Sequence, residues 1–187
     1  MNAQELIAFF YPEETPLRRL LVAHSVQVRD KALKILARSG RSGIDAALTA
    51  DGAMLHDIGI GRCHAPSIFC EGDEPYLRHG ILGARMLREY GKAHGLDLER
   101  FARICERHTG SGLTAREIRL QSLPLPERDL LPETPEEKLV CLADKFFSKS
   151  GDGQEKSLSR IRRSMVKFGE SSLARFDALC AEFGVAE

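Results

Sequence analysis

"MLHDIGIGRCHAP", residues 54–66, sets a histidine beside an aspartate at the end of a run of small and apolar residues, with glycines following at 59 and 61. Adjacent residues on a helix do not share a face, so His56 and Asp57 can converge only if the helix ends there. The carbonyl end of a helix favours a cation. The glycines then turn the chain away without side chains to obstruct the spot. A histidine–aspartate pair in this setting is half of a candidate metal site, and the other half must come from elsewhere in the chain.

Working outward, nearly everything reads as helix, because apolar residues recur at spacings of three and four and β-branched alternation is missing. The pattern predicts a short helix over 3–10 and a long one over about 16–38, with Leu17, Leu21, Val28, Ala32 and Ile35 on one face. The next covers about 44–57, with Ala46, Ala50, Ala53 and Met54 as its apolar stripe. "GIGRCHAPSIFCEGDEP" (59–75) reads as a long loop, a form that is often functional. Helices are expected at about 75–91 and 97–109, then a connector, "LPLPERDLLPETP" (123–135), whose prolines forbid a continuous helix. Thr134-Pro135-Glu136-Glu137 has the form of a cap, a first-turn proline and first-turn acids, opening a helix over 135–149. Two last helices fall near 155–168 and 171–183. The expected fold is all-α, with residues 1–150 as the main domain and 151–187 as a helical extension packed on the same body.

Four more residues join the pair. His24 shares a helix face with Leu17, Leu21 and Val28; His108 follows Phe101, Ile104 and Cys105 at helical spacing. His79 is followed by Gly80 and Gly83, small residues that admit a close neighbour, and Asp144 stands on the stripe of Val140 and Cys141. A lone inward histidine is more often a hydrogen-bonded core residue. A buried carboxylate, however, needs a partner or a metal. Imidazoles and carboxylates from several separate segments together suit Fe, Mn, Ni, Co or Zn. Cys105 and Cys141 read as small hydrophobes beneath the site, and "TGSGL" (109–113) as the stop of the His108 helix. Cationic clamps for an anionic substrate are Arg62 and His64 in the loop and Lys145 beside Asp144. Lys149 reads as part of a solvated helix face and His94 as an exposed helix-end residue.

The order His24, His56-Asp57, His79, His108, Asp144 resembles the HD superfamily of metal-dependent phosphohydrolases, and "HDIG" at 56–59 is the variant that names one large subset. The longer run from about residue 20 to 150, including "ERHTGSGLT" and "KLVCLADKFFSK", is similar to small, mostly uncharacterised prokaryotic HDIG proteins. The resemblance implies an HD-domain helical bundle with the metal site in its core. Two divalent transition-metal ions would be held, one by His24, His56, Asp57 and Asp144, the other by Asp57, His79 and His108. Asp57 would touch both and is the residue most tied to catalysis, in which a bridging water acidified by two cations attacks phosphorus. The substrate would be a small phosphorylated molecule, a nucleotide foremost. Ile60 stands where the HD-GYP cyclic-di-GMP phosphodiesterases carry a lysine, and no GYP triplet follows, so that substrate is not implied. The same six residue types also occur in mixed-valent di-iron oxygenases of this fold, and a non-catalytic nucleotide-binding module is the third reading.

Bulk composition bounds these readings. Lys and Arg number 27 and so do Asp and Glu, so there is no basic surplus to draw the chain to nucleic acid. The five cysteines are odd in number and scattered, which suits reduced thiols. "MNAQELIAFFYPEETP" has no basic stretch before a long apolar run, so no signal peptide is expected. No segment reaches the roughly 18 apolar residues of a membrane span. A cytoplasmic protein is expected, with the final helices offering a homodimer face.

Overall fold

A computed structural model describes residues 2–150 and 153–186. The expected domain boundary at 150/151 therefore abuts residues outside the described set. Nine α-helices occur among the described residues, in the order α1 Ala3–Phe10, α2 Pro16–Ser39, α3 Ala46–Leu55, α4 His79–His94, α5 Glu99–Arg107, α6 Ala115–Leu120, α7 Pro135–Asp144, α8 Leu158–Val166 and α9 Glu170–Glu182. The all-α expectation holds.

Local sequence explains most boundaries. Asn2, Thr114 and Thr134 each close a reciprocal capping box with a glutamate three residues on, satisfying otherwise orphaned N–H groups. Thr15 caps α2, Pro16 occupies its first turn, and Gly40 ends it in the left-handed conformation. Three expectations need correction. Residues 59–75 are not an irregular loop: they fold into a small three-stranded sheet, order β2-β1-β3, from β1 Cys63–Ala65, β2 Cys70–Glu71 and β3 Glu74–Pro75. β1 runs antiparallel to β2 and parallel to β3. Such short strands carry no periodicity to read. The stripe of α3 is Leu48, Thr49, Gly52, Ala53, Met54 and Leu55, while Ala46 is exposed, because the helix starts only at that residue. Finally, α7 stops at Asp144 and not at 149.

The core has two apolar clusters. One joins α2, α3, α7, α8 and α9 through residues such as Val28, Ala53, Leu142, Ile161 and Phe176. The other joins α1 to α5 through Leu6, Leu21, Leu55, Leu87 and Cys105. His24 lies on α2 between Leu21 of one cluster and Val28 of the other, so polar side chains meet at the seam between the two. Removing a side chain such as Leu21 or Leu142, both fully buried, is expected to cost about 2–5 kcal/mol.

Candidate metal centre

The structure brings together all six residues singled out from the sequence. His56 is the C-cap of α3 and Asp57 follows it, so the two side chains turn to one point where the helical geometry ends. His24 comes from the middle of α2, His79 from the first residue of α4, His108 from the C-cap of α5 and Asp144 from the last residue of α7. All six are buried. His24, His56 and Asp57 offer ligand atoms within 4.8 Å of one another, and so do Asp57, His79 and His108.

Asp57 divides its carboxylate between two sets. Its Oδ2 lies 3.0 Å from His56 Nε2 and 3.3 Å from His24 Nε2, and its Oδ1 lies 3.3 Å from His79 Nε2 and 3.5 Å from His108 Nε2. Asp144 completes the first set, with Oδ1 3.0 Å from His24 Nε2 and 3.6 Å from His56 Nε2.

Three histidines are oriented by one repeated device. His56, His79 and His108 each donate the Nδ1 proton to the carbonyl three residues earlier, of Ala53 (2.6 Å), Tyr76 (2.7 Å) and Cys105 (2.7 Å). A carbonyl only accepts, so in the neutral ring this bond leaves Nε2, turned inward, as the lone-pair side, as expected of metal-binding histidines. The consequence is sharpest where His79 Nε2 and His108 Nε2 stand 3.0 Å apart, two acceptors facing one another. In addition, His56 Nε2 and Asp57 Oδ1 are buried without a well-formed hydrogen bond, and Asp57 Oδ2 faces the Lys149 ammonium at 2.6 Å. Buried polar atoms left this way are rare and costly. A donor set of imidazoles and carboxylates with two opposed Nε2 lone pairs and an unsatisfied Asp57 Oδ1 fits a cation.

Charge shapes the titration of the group. Burial alone lowers the pKa of His56, but Asp57 and Asp144 outweigh it and raise it to about 9. His79 has less carboxylate around it, and burial brings it down to about 3. Burial also holds His108 below the usual imidazole range. Asp57 and Asp144 resist burial and stay well below the usual carboxylate range, Asp57 through His56 and Lys149 and Asp144 through Lys145 and His24.

Glycines set how closely the elements approach. A side chain on Gly59 would strike the His79 carbonyl and the Gly83 backbone, and one on Gly80 would strike the Cys105 carbonyl. Gly61 is confined by the Tyr11 ring, whose hydroxyl donates to the Ile58 carbonyl at 2.7 Å and accepts from the Gly61 amide at 3.0 Å. Gly59 has an ordinary φ of −87°. Gly59 and Gly61 therefore serve close packing against α4 and Tyr11, not the clearing of the site expected of them, whereas Gly80 admits a close neighbour as expected.

Lys149 is the charged side chain at the cluster that the sequence reading set aside as solvated. Beyond the end of α7 the chain bends back, and Lys149 Nζ lies 2.6 Å from Asp57 Oδ2 and 5.9 Å from the centre of the Tyr76 ring. It is not on a solvated helix face. Burial lowers its pKa, but Asp57 and Asp144 outweigh that and raise it, so it remains a cation. No signal in the sequence set it apart from Lys145. Lys145 Nζ lies 2.8 Å from Asp144 Oδ2 and donates to the His108 carbonyl at 3.4 Å. Arg62 and His64 are both exposed, near the small sheet, and neither bonds to any of the six. A cavity of about 400 Å³ opens onto the cluster, lined by His24, Asp144, Tyr76, Ser67, Ser148 and Lys149 among others, but by none of Arg62, His64 and Lys145. Cys105 and Cys141 are buried, and their thiols donate to the carbonyls of Leu55 and Gly110. Burial raises both thiols, Cys141 to about 11, so they are packing residues. His94 is exposed and stacks on Tyr90 with centroids 3.9 Å apart.

The model of the HD domain family matches residues 21–148, and the chain belongs to that family. An uncharacterised protein of Methanocaldococcus jannaschii is 37% identical over 129 residues, covering 68% of this chain and 66% of the relative. The tRNA (cytidine(56)-2'-O)-methyltransferase of Picrophilus torridus is 41% identical over 104 residues, 56% of this chain but 25% of that protein. Its namesake in Thermoplasma volcanium is 31% identical over 128 residues, 68% of this chain and 32% of that protein. The chain thus spans about a quarter to two thirds of the curated relatives it matches. Among solved structures, the HD domain of the L. monocytogenes phosphodiesterase PgpH matches with a TM-score of 0.49 and 16% identity, over 92% of this chain and 98% of that one. Among the described residues, no helix is long and apolar enough to cross a membrane.

Proposed function

We propose that this chain is a metal-dependent phosphohydrolase acting on a small phosphoester of the nucleotide class. The observation that carries the reading is the divided carboxylate of Asp57, facing two histidine sets whose Nε2 atoms point inward, those of His79 and His108 only 3.0 Å apart. His24, His56, Asp57 and Asp144 would hold one divalent transition metal, and Asp57, His79 and His108 a second. When bound, such ions neutralise charge on the phosphoryl oxygens and lower the pKa of water at the site.

The chain's own residues do the rest. The carbonyls of Ala53, Tyr76 and Cys105 fix the ring orientations and keep the Nε2 atoms free for ligation. Lys149, beside Asp57 and in the lining of the cavity, would receive a phosphoryl oxygen. Tyr76 forms the wall beneath it and stacks on His79 with centroids 4.8 Å apart. Arg62 and His64 remain candidates for the distal part of a substrate. The names of two relatives attach this domain to RNA-modifying proteins, which favours a nucleotide over other phosphoesters.

The test is turnover on a panel of nucleotide and non-nucleotide phosphoesters, with the metal-stripped protein reloaded in turn with Fe, Mn, Co, Ni or Zn. Phosphate release without oxygen supports the reading. Oxygen consumption with a di-iron EPR signal, or bound nucleotide without turnover, would replace it with the oxygenase or the binding module.

A further inference from the structure

A second cavity, of about 530 Å³, lies away from the metal centre, between α2, the start of α8 and the residues after α9. Its size falls within the range of small-molecule sites. Lys31, Lys34 and Arg38 line it from one side of α2, and Lys156 faces them from the segment that leads into α8. Glu155 is the carboxylate among the described lining residues, and Lys31 already engages it at 2.6 Å while lying over the Phe146 ring. Lys34, Arg38 and Lys156 have no ion-pair partner among the described residues. This local surplus stands out in a chain whose charges balance overall.

The opening of α8 adds to the same field. The Ser157 hydroxyl is committed to capping the Arg160 amide, while Leu158 and Ser159, both in the cavity lining, belong to the first turn, where amides have no partner within the helix. Amides of this kind attract anions. Lys156 is half-buried in the cavity wall, and its amide donates to the Phe146 carbonyl at 2.8 Å. Leu158, Phe183 and Val185 give the cavity an apolar wall. Its separation from the metal centre is built into the chain: Phe146 lines this cavity, whereas Phe147, Ser148 and Lys149 line the other.

We infer that this cavity binds a small phosphorylated ligand with two or more negative charges, either a nucleotide or a free di- or triphosphate, at a site separate from the metal centre. The experiment uses the whole chain stripped of metal by a chelator and titrated at physiological ionic strength with inorganic pyrophosphate and, separately, with ATP. Calorimetry gives the affinity and amide NMR the location. The expected result is saturable binding of both, with shifts centred on Lys34, Arg38, Lys156 and Ser159. Binding should weaken about tenfold or more in the Lys34→Glu, Arg38→Glu double variant and be unchanged in Lys149→Met. Tighter binding of ATP identifies a nucleotide as the ligand; equal binding identifies the phosphate chain alone. The inference is overturned by affinity that survives the double variant, by shifts centred on Tyr76 and Lys149, or by no binding at millimolar concentration. Binding of an RNA but of neither small phosphate overturns it too. None of these readouts involves turnover, so failure here is separate from failure of the hydrolase reading.

Discussion

α5 and α7 each carry buried charge of two kinds. Glu106 of α5, 4% exposed, is closed off by Arg88 at 2.9 Å and Arg128 at 3.0 Å. Glu137 of α7, 2% exposed, accepts from Arg103 at 2.8 Å and from the Glu133 amide at 2.7 Å. Only two residues after Glu106 comes His108, and seven after Glu137 comes Asp144, both in the cluster with orphaned atoms. Guanidinium groups satisfy a carboxylate with several donors at once. Imidazoles that have given their proton to the backbone cannot. The one set is finished as the chain folds, and the other, with Lys149 as its internal cation, still leaves Nε2 atoms opposed and an Asp57 oxygen unsatisfied; the contrast distinguishes a structural network from a candidate site.

The largest expected effect comes from the open set. Asp57→Ala should abolish metal retention and lower phosphoester turnover by on the order of 10²–10³-fold or more, read by metal analysis and initial rates. Full metal content with full turnover would erase the contrast. In the closed set, Glu106→Ala removes the hydrogen bonds to Arg88 and Arg128, both partly solvated, and should destabilise the fold by about 1–2 kcal/mol in denaturant titrations. Its metal content per folded molecule should not change, and a loss of metal there would show that the two sets are one system. Lys149→Met separates the roles of a cation inside the open set. It should raise KM about tenfold, equivalent to about 1.4 kcal/mol, while metal binding becomes tighter in a competition with a chelating dye. Weaker metal binding would make Lys149 structural.

The smallest effect belongs to Glu117, another closed carboxylate. Burial raises its pKa, but the Thr114 amide and the Arg175 guanidinium outweigh that and bring it to about 2, from 4.5. Its contribution is therefore present above pH 4.5 and is lost as pH falls toward 2. The Tm gap between the wild-type chain and Glu117→Gln, of about 2–4 °C at neutral pH, should close over that window. A gap that stays constant with pH would mean that the charge of Glu117 contributes nothing.

Legibility followed the physics of each part. Helices with long amphipathic faces, such as α2 with Leu21, Val28, Ala32 and Ile35 inward, were readable because periodicity reports burial. The small sheet at 63–75 and the six-residue α6 were not, since elements so short are held by their surroundings. His24, His79 and His108 could be chosen from the six histidines because each sat on an apolar face or beside glycines, whereas nothing local told Lys149 from Lys145.

The sequence by itself determined the helical class, the six convergent side chains and the place where the His56-Asp57 helix ends, because residue type, helical spacing and glycine placement are local properties. Only the tertiary structure decided which oxygen of Asp57 faces which histidines, that Lys149 returns to the cluster, and that Arg62 and His64 stand apart from it. Those outcomes depend on where α7 stops and how segments distant in the chain pack together. No local pattern records that.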